Sequence, residues 1–317
     1  MKKMLFLVNA HAGKTEVKAK AIDIIDIFIK GGYEVTVHTS QHPLEIPGYL
    51  ARNGKIYDTI VCAGGDGTLN ETVNGLMRIE EGLRPKLGYI PTGTVNDFAS
   101  TAGISKNVLQ AATDIIDGQP RRIDIATFNK RHFTYVAAFG AIAEVSFDTP
   151  QHYKNMFGKS AYILEGLKRV SKIRPYKMQI QWGDFVFGGE FILGMVTSSR
   201  SVGGIGVFEN EKVDMRMDDG FYEVTLVTMP KTLTASADIL NALLKMDITD
   251  TNSIISFKAK DVSFHSETPV AWTVDGEFAG KVYSADVNVN KQAIQLITNP
   301  KGVSADDFTL PQRYPIL

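Results

Sequence analysis

Cysteine is nearly absent from this sequence. Cys62 stands alone among 317 residues, so no disulfide can form within the chain, which suits a reducing compartment. An excess of either charge is also missing, with 34 Lys and Arg against 35 Asp and Glu. That balance argues against a broadly basic nucleic-acid binder. No apolar stretch approaches the roughly 18 residues that span a bilayer. The short apolar run at 4–8 leads into Asn9, His11 and Gly13 with no small-residue cleavage site, unlike a secretion signal. The expected location is the cytoplasm. Only His38 and His42 of the six histidines have an H-x-x-x-H spacing, and no cysteine or third histidine lies nearby, which argues against zinc. There is no G-x-x-x-x-G-K-[ST] loop, no G-x-G-x-x-G fingerprint and no G-x-S-x-G elbow.

What is present is ordinary for a globular chain with a substantial core, at 44% hydrophobic and 22% charged residues. The length suggests two domains. Apolar runs at 4–8, 33–39, 59–63 and 86–90 predict strands, and helical spacing predicts helices at 16–30, 68–77 and 108–117. This alternation implies βαβ units and a parallel sheet. Beyond Pro120 the pattern changes to short alternating runs at 133–139, 178–182, 190–198, 222–228, 261–265, 271–274 and 293–297. Turn residues such as Gly183-Asp184, Gly188-Gly189 and Asp219-Gly220 break them, and an antiparallel sandwich or barrel is expected. Two helical segments, 160–173 and 232–245, interrupt it. No Pro/Ser-rich linker separates the halves, so they are expected to pack around a cleft.

Three polar turns follow predicted strands of the parallel sheet. They are Asn9-Ala10-His11-Ala12-Gly13-Lys14, Ala63-Gly64-Gly65-Asp66-Gly67-Thr68-Leu69-Asn70-Glu71 and Pro91-Thr92-Gly93-Thr94-Val95-Asn96-Asp97-Phe98-Ala99. Glycine there lets backbone N–H groups approach phosphate oxygens, and the following helix N-terminus adds partial positive charge. Ligands of such sheets bind outside the carboxyl ends of the strands. Asp66 inside a phosphate-binding turn would repel the ligand unless it acts through Mg²⁺ or polar partners. The Gly64–Thr68 turn read alone is first a tight turn with an N-cap at Asp66 or Thr68; a second and a third polar turn after strands of the same sheet shift the reading to a nucleotide pocket. Two further turns carry acids: Asp218-Asp219-Gly220, by itself a β-turn, and Val274-Asp275-Gly276-Glu277, by itself a hairpin turn.

The order of these motifs resembles the diacylglycerol kinase catalytic family, and most closely its soluble bacterial lipid kinases, over residues 4–299. The Gly64–Thr68 turn alone also occurs in NAD kinases and phosphofructokinases; Gly93–Asp97 favours the lipid kinases. The resemblance implies a Rossmann-like α/β nucleotide-binding domain at 1–124, joined by 300–317, and an antiparallel β-sandwich domain at 125–299 that completes the active site. It implies ATP and Mg²⁺ as cofactors. Asn9, Gly13, Lys14, Thr39, Gly64, Gly65, Asp66, Gly67, Thr68, Asn70, Glu71, Gly93, Thr94, Asn96 and Asp97 match its nucleotide-site positions. Asp66, Asp97 and Asp124 match acidic positions of its metal network. Asp219, with the carbonyls of Arg216 and Phe221, would hold a structural Mg²⁺, although Lys212-Val213-Asp214 stands where the family has Pro-x-Ala. Glu277 would be the base that takes the lipid hydroxyl proton, and Asp275 would orient the hydroxyl or Mg²⁺.

The acceptor is expected to be a lipid, most readily diacylglycerol, reached at the inner face of the membrane by a peripheral protein, with a homodimer allowed. Residues 152–177 carry Lys154, Lys159, Lys168, Arg169, Lys172, Arg174 and Lys177 against Glu165 alone, interleaved with Tyr153, Phe157, Tyr162 and Leu167. This stretch reads equally as a surface-seeking amphipathic segment or as a packed helix with a solvated basic face. Three rivals stay open: a kinase of a soluble acceptor such as NAD, a nucleotide-binding regulator without catalysis, and a nicotinamide-dependent oxidoreductase.

Overall fold

The computed structural model describes residues 1–9, 16–140, 175–199, 201–202, 205–206, 216–230, 232 and 253–299. Gly13, Lys14, the predicted helix 160–173, the segment 300–317 and all but Thr232 of 232–245 lie outside the described residues, as does 152–174 of the basic segment.

The first part is β1 (Lys2–Asn9), α1 (Glu16–Lys30), β2 (Tyr33–Ser40), α2 (Glu45–Asn53), β3 (Thr59–Gly64), α3 (Asp66–Leu76), β4 (Lys86–Pro91), α4 (Asp97–Thr101) and α5 (Val108–Asp117). Its four strands are parallel in the order β4-β3-β1-β2. Alternation along β1 sorts side chains to two cores. Met4, Phe6 and Val8 meet α1 and α5 through Ile24, Phe28, Val108 and Ala112, whereas Leu5 and Leu7 meet α2 and α3 through Leu50, Leu69 and Val73. Both faces are covered, so these strands read as continuous apolar runs. The chain goes from β1 to β2 on one side and then to β3 on the other. This reversal opens a crevice between the carboxyl ends of β1 and β3.

The second part is antiparallel: β5 (Gln119–Phe128), β6 (Arg131–Phe133), β7 (Val136–Gly140), β8 (Tyr176–Trp182), β9 (Phe185–Thr197), β10 (Ser201–Val202), β11 (Ile205–Gly206), β12 (Tyr222–Thr228), β13 (Ile254–Ala259), β14 (Asp261–Val274) and β15 (Glu277–Thr298). β7 and β8 lie end to end between β9 and β14. β7 ends with Gly140 opposite Leu193, and β8 begins with Tyr176 opposite Phe191. The core is aromatic, with Trp272 packed on Phe128, Phe139 and Phe264 at centroid distances of 5.0, 4.9 and 5.1 Å. β5 follows β15 from Phe128 opposite Val287 to Gln119 opposite Thr298, and Leu296 of β15 pairs with Leu87 of β4. The two parts are therefore joined by backbone ladder as well as by side chains.

Several elements differ from the sequence-based expectation. The run at 133–139 is interrupted because the N–H groups of Thr134 and Tyr135 go to the Asp275 carboxylate. The runs at 261–265 and 271–274 are one strand with a register shift between His265 and Val270. The run at 293–297 is the end of the 22-residue β15. Helix α2 was masked by Pro47, which is tolerated because it sits in the first turn, where its missing N–H has no intrahelical partner.

Trp272 is 1% exposed. Trp272→Ala is expected to cost about 3–5 kcal/mol, read as a lower Tm by calorimetry; a loss under about 1 kcal/mol would mean that this aromatic cluster does not carry the antiparallel core.

Candidate active site

Two glycine turns touch. After β3 and β4, a Cβ built on Gly93 would lie 2.7 Å from the Gly65 Cα, so neither position accepts a side chain without shifting backbone. Asn96 fixes the second turn from a left-handed conformation, φ 56°. Its Oδ1 accepts from the Gly93 N–H at 3.0 Å and its Nδ2 donates to the Gly93 carbonyl at 2.8 Å. The Thr92 N–H donates to the Gly64 carbonyl, and the Tyr89 hydroxyl donates to the same carbonyl. The Asn9 amide, at the end of β1, donates to Thr68 Oγ1 at 3.0 Å. These bonds bring the carboxyl ends of β1, β3 and β4 together around the first turn of α3.

Asp66 lies in that first turn. One oxygen accepts the Asn96 N–H at 3.1 Å, and the other, Oδ1, is buried with no partner. Burial, followed by the charges of Asp97 and Asp275, pushes its pKa up to about 6. Asp97 is 2% exposed. A buried carboxylate oxygen without a donor, beside two further carboxylates, calls for a cation. Among the described residues no three acidic, histidine or cysteine side chains are placed to hold a metal by themselves.

The β14–β15 turn closes the site from the antiparallel part. Asp275 and Gly276 have φ 47° and 81°, the paired positive values of a tight two-residue hairpin. Asp275 is 5% exposed, and its carboxylate accepts five hydrogen bonds. Oδ1 takes the N–H groups of Tyr135 and Val136. Oδ2 takes the Thr134 N–H, the Thr134 hydroxyl and the Asn70 amide of α3, at 2.7–2.8 Å. Asp275 was expected to orient the hydroxyl or Mg²⁺; it stands here as a tie between the two parts. Glu277, just beyond, is half-exposed. Its Oε1 lies 3.3 Å from where a Gly67 Cβ would stand, and its Oε2 pairs with Arg131 Nη2 at 2.5 Å.

Other expected residues have different partners. Glu71 accepts the Leu44 N–H at 3.0 Å, which caps the start of α2. Thr39 is the penultimate residue of the edge strand β2, and its hydroxyl accepts from the Gln41 amide. Thr94 is exposed on the second turn. Both Asp124 oxygens are taken by backbone, the Gly220 N–H at 2.6 Å and the Gln292 N–H at 2.7 Å, so Asp124 fastens the 218–220 turn to β15. Asp219 accepts from the Phe221 N–H and from Lys258 Nζ. Sequence reasoning missed Arg131, Thr134 and Asn74. Asn74 was legible as an i,i+4 partner of Asn70; its amide donates to the His132 carbonyl and its Oδ1 accepts the His132 N–H. Burial pushes the Cys62 thiol up to about 12, which removes it as a nucleophile.

Residues 3–128 match the family model described as the diacylglycerol kinase catalytic domain. A diacylglycerol kinase of Bacillus subtilis (strain 168) is 31% identical over 310 residues, which cover 97% of this chain and 100% of the relative. The chain belongs to the diacylglycerol kinase family. It is thus an enzyme of a lipid kinase family. A diacylglycerol kinase of Staphylococcus epidermidis (strain RP62A) is 33% identical over 308 residues, 97% of this chain and 95% of that one. The crystal structure of a diacylglycerol kinase from Bacillus anthracis str. Sterne has the same fold, with a TM-score of 0.75 at 23% identity over 95% of this chain and 98% of that one. No helix among the described residues is long and apolar enough to cross a membrane.

Two outcomes follow from this geometry. Asp275→Asn puts an amide NH₂ against N–H donors and is expected to cost about 3 kcal/mol or more, roughly 5 °C or more in Tm; an unchanged Tm would mean the five-donor tie is not structural. For Asp66, a folded pKa raised above the ordinary value means stability is lost as pH rises toward about 6. Nucleotide-free Asp66→Asn is therefore expected to be more stable than wild type above about pH 6, by on the order of 2 kcal/mol, with the gap closing near pH 4. Equal melting curves at pH 8 would contradict the buried-charge reading.

Proposed function

We propose that the chain is an ATP- and Mg²⁺-dependent lipid kinase that phosphorylates a lipid hydroxyl, with diacylglycerol as acceptor and phosphatidic acid as product. The observation that carries this reading is the placement of Glu277 against Gly67, at the start of the helix whose first turn holds the partnerless Asp66 oxygen. The N–H groups at the start of α3 and in the Gly93–Asp97 turn would cradle the phosphates. Asp66 and Asp97 would hold the metal that arrives with them. Bound Mg²⁺ supplies charge neutralisation on the phosphates. Glu277 accepts the hydroxyl proton as the lipid oxygen bonds to the γ-phosphorus and the bond to the nucleoside diphosphate breaks. Residues 1–124 form the nucleotide half in this reading, and 125–299 form a sandwich-like half that supplies the base. The basic segment 152–177 is the proposed contact with an anionic lipid surface, a peripheral and cytoplasmic arrangement.

Names of the relatives favour diacylglycerol over phosphatidylglycerol, a sphingoid base or NAD. The test is transfer of labelled phosphate from Mg-ATP to vesicles carrying each lipid, with NAD as the soluble control. Labelled phosphatidic acid is expected, with turnover falling about 10²–10⁴-fold in Glu277→Gln at unchanged Tm. Label on NAD alone would overturn the lipid acceptor, and wild-type turnover in the mutant would overturn the base.

A further inference from the structure

The turn that leads into β12 departs from what the family resemblance implies. A structural Mg²⁺ was expected there on Asp219, with carbonyls of Arg216 and Phe221. The structure places a side-chain cation at that carboxylate instead. Lys258 Nζ is 3.0 Å from Asp219 Oδ2 and 3.4 Å from Glu223 Oε1. The other Asp219 oxygen accepts the Phe221 N–H at 3.0 Å.

The strand register explains how the lysine gets there. Lys258 on β13 is directly opposite Glu223 on β12, so the two side chains stand on one face of the ladder. Asp219, just before β12, completes the group from the turn. The Glu223 side chain is 7% exposed, and neither of its oxygens has a hydrogen-bond partner. The Lys258 ammonium is the countercharge that this buried carboxylate has. Around it, Asp218 is paired with Arg121 at 3.2 Å and Arg216 at 3.3 Å, and Asp124 is saturated by backbone N–H groups. Asp124, Asp218, Asp219 and Glu223 are thus faced by three fixed cations, Arg121, Arg216 and Lys258. A divalent ion on Asp219 would stand beside an ammonium that already uses the same oxygen.

We propose that the Lys258 ammonium is the resident cation of this turn, so that the turn and the β12–β13 ladder hold together without a structural divalent ion. Removal of the ammonium turns the same group into a divalent site, because Asp219, Glu223 and the turn carbonyls are hard oxygen donors.

The test uses the nucleotide-free full chain in an Asp66→Asn background, so that metal bound at the nucleotide site does not enter the result. With Lys258 intact, Tm is expected to move by less than about 1 °C between EDTA and about 10 mM Mg²⁺. Lys258→Met is expected to lower Tm in EDTA and to recover much of the loss in Mg²⁺. Lys258→Met combined with Glu223→Gln is expected to recover without Mg²⁺, since the buried charge is gone, and this variant covers the case in which the single one fails to fold. The proposal is overturned if the Lys258 protein loses stability in EDTA and regains it with Mg²⁺, or if elemental analysis after gel filtration finds one equivalent of Mg²⁺ in it. It is also overturned if Lys258→Met melts like its parent in EDTA. None of these results bears on the assignment of Asp66 or Glu277.

Discussion

The Asp275 carboxylate holds this molecule's two parts in working register. It sits in a two-residue hairpin turn, where its own backbone N–H donates to the Val136 carbonyl at 2.8 Å. Its five acceptor contacts then reach in two directions. Four hold the backbone and hydroxyl of 134–136, where the chain passes from β6 to β7. The fifth holds Asn70 on α3. Because α3 begins with Asp66 and Gly67, this one carboxylate fixes the distance between the glycine turn after β3 and Glu277, two residues further along the hairpin. Burial pushes the Asp275 pKa upward, and the N–H and O–H donors around it act in the opposite direction. Glu277, the proposed base, is thus positioned from a rigid turn and remains half in solvent, open to an incoming acceptor.

The molecule treats its acidic groups in three ways, and the treatment separates structural from chemical roles. Asp275 and Asp124 are saturated by N–H and O–H donors and act as fasteners. Asp218, Asp219 and Glu223 are balanced by fixed Arg and Lys side chains. Asp66 has a buried oxygen with no donor and, unlike Glu223, no ion pair with an Arg or Lys among the described residues, and its pKa is raised to about 6 by burial and by neighbouring carboxylates. Such a desolvated charge lowers the stability of the nucleotide-free chain, and a bound metal–phosphate group would offset that cost. The glycine turns contribute the shape for it. Gly65 and Gly93 approach so closely that two polar loops form one concave edge at the crevice between β1 and β3.

Much of this was legible in the sequence. The helices at 16–30 and 108–117 have the expected bounds, and β12 spans the predicted 222–228, because each carries its period without a breaker. The polar turns after β3 and β4 were recognisable because each follows a buried strand. The lost elements have physical reasons. Pro47 disguised α2, and the strand break at 134–135 depends on an acid more than a hundred residues away, which no local pattern records. Roles were harder than places. Asp275 in the hairpin turn, Glu71 on α3 and Asp124 within β5 are acids that in sequence look like ligands; only the backbone N–H groups around them reveal fasteners and caps. Arg131 carries no motif and meets Glu277 only because β6 runs beside the hairpin. Lys258 is invisible as a cation for Asp219 until the β12–β13 register is known.

As proposed, the turns after β3 and β4 hold the phosphates of a magnesium nucleotide, with Asp66 between them. Amide hydrogen exchange of the full chain with and without Mg-ATP tests it most directly. The account predicts slowed exchange at the N–H groups of Gly65–Thr68 and Gly93–Asp97 on addition of Mg-ATP, and no slowing there with ATP in EDTA. Protection confined to other segments, or equal protection without metal, would contradict it.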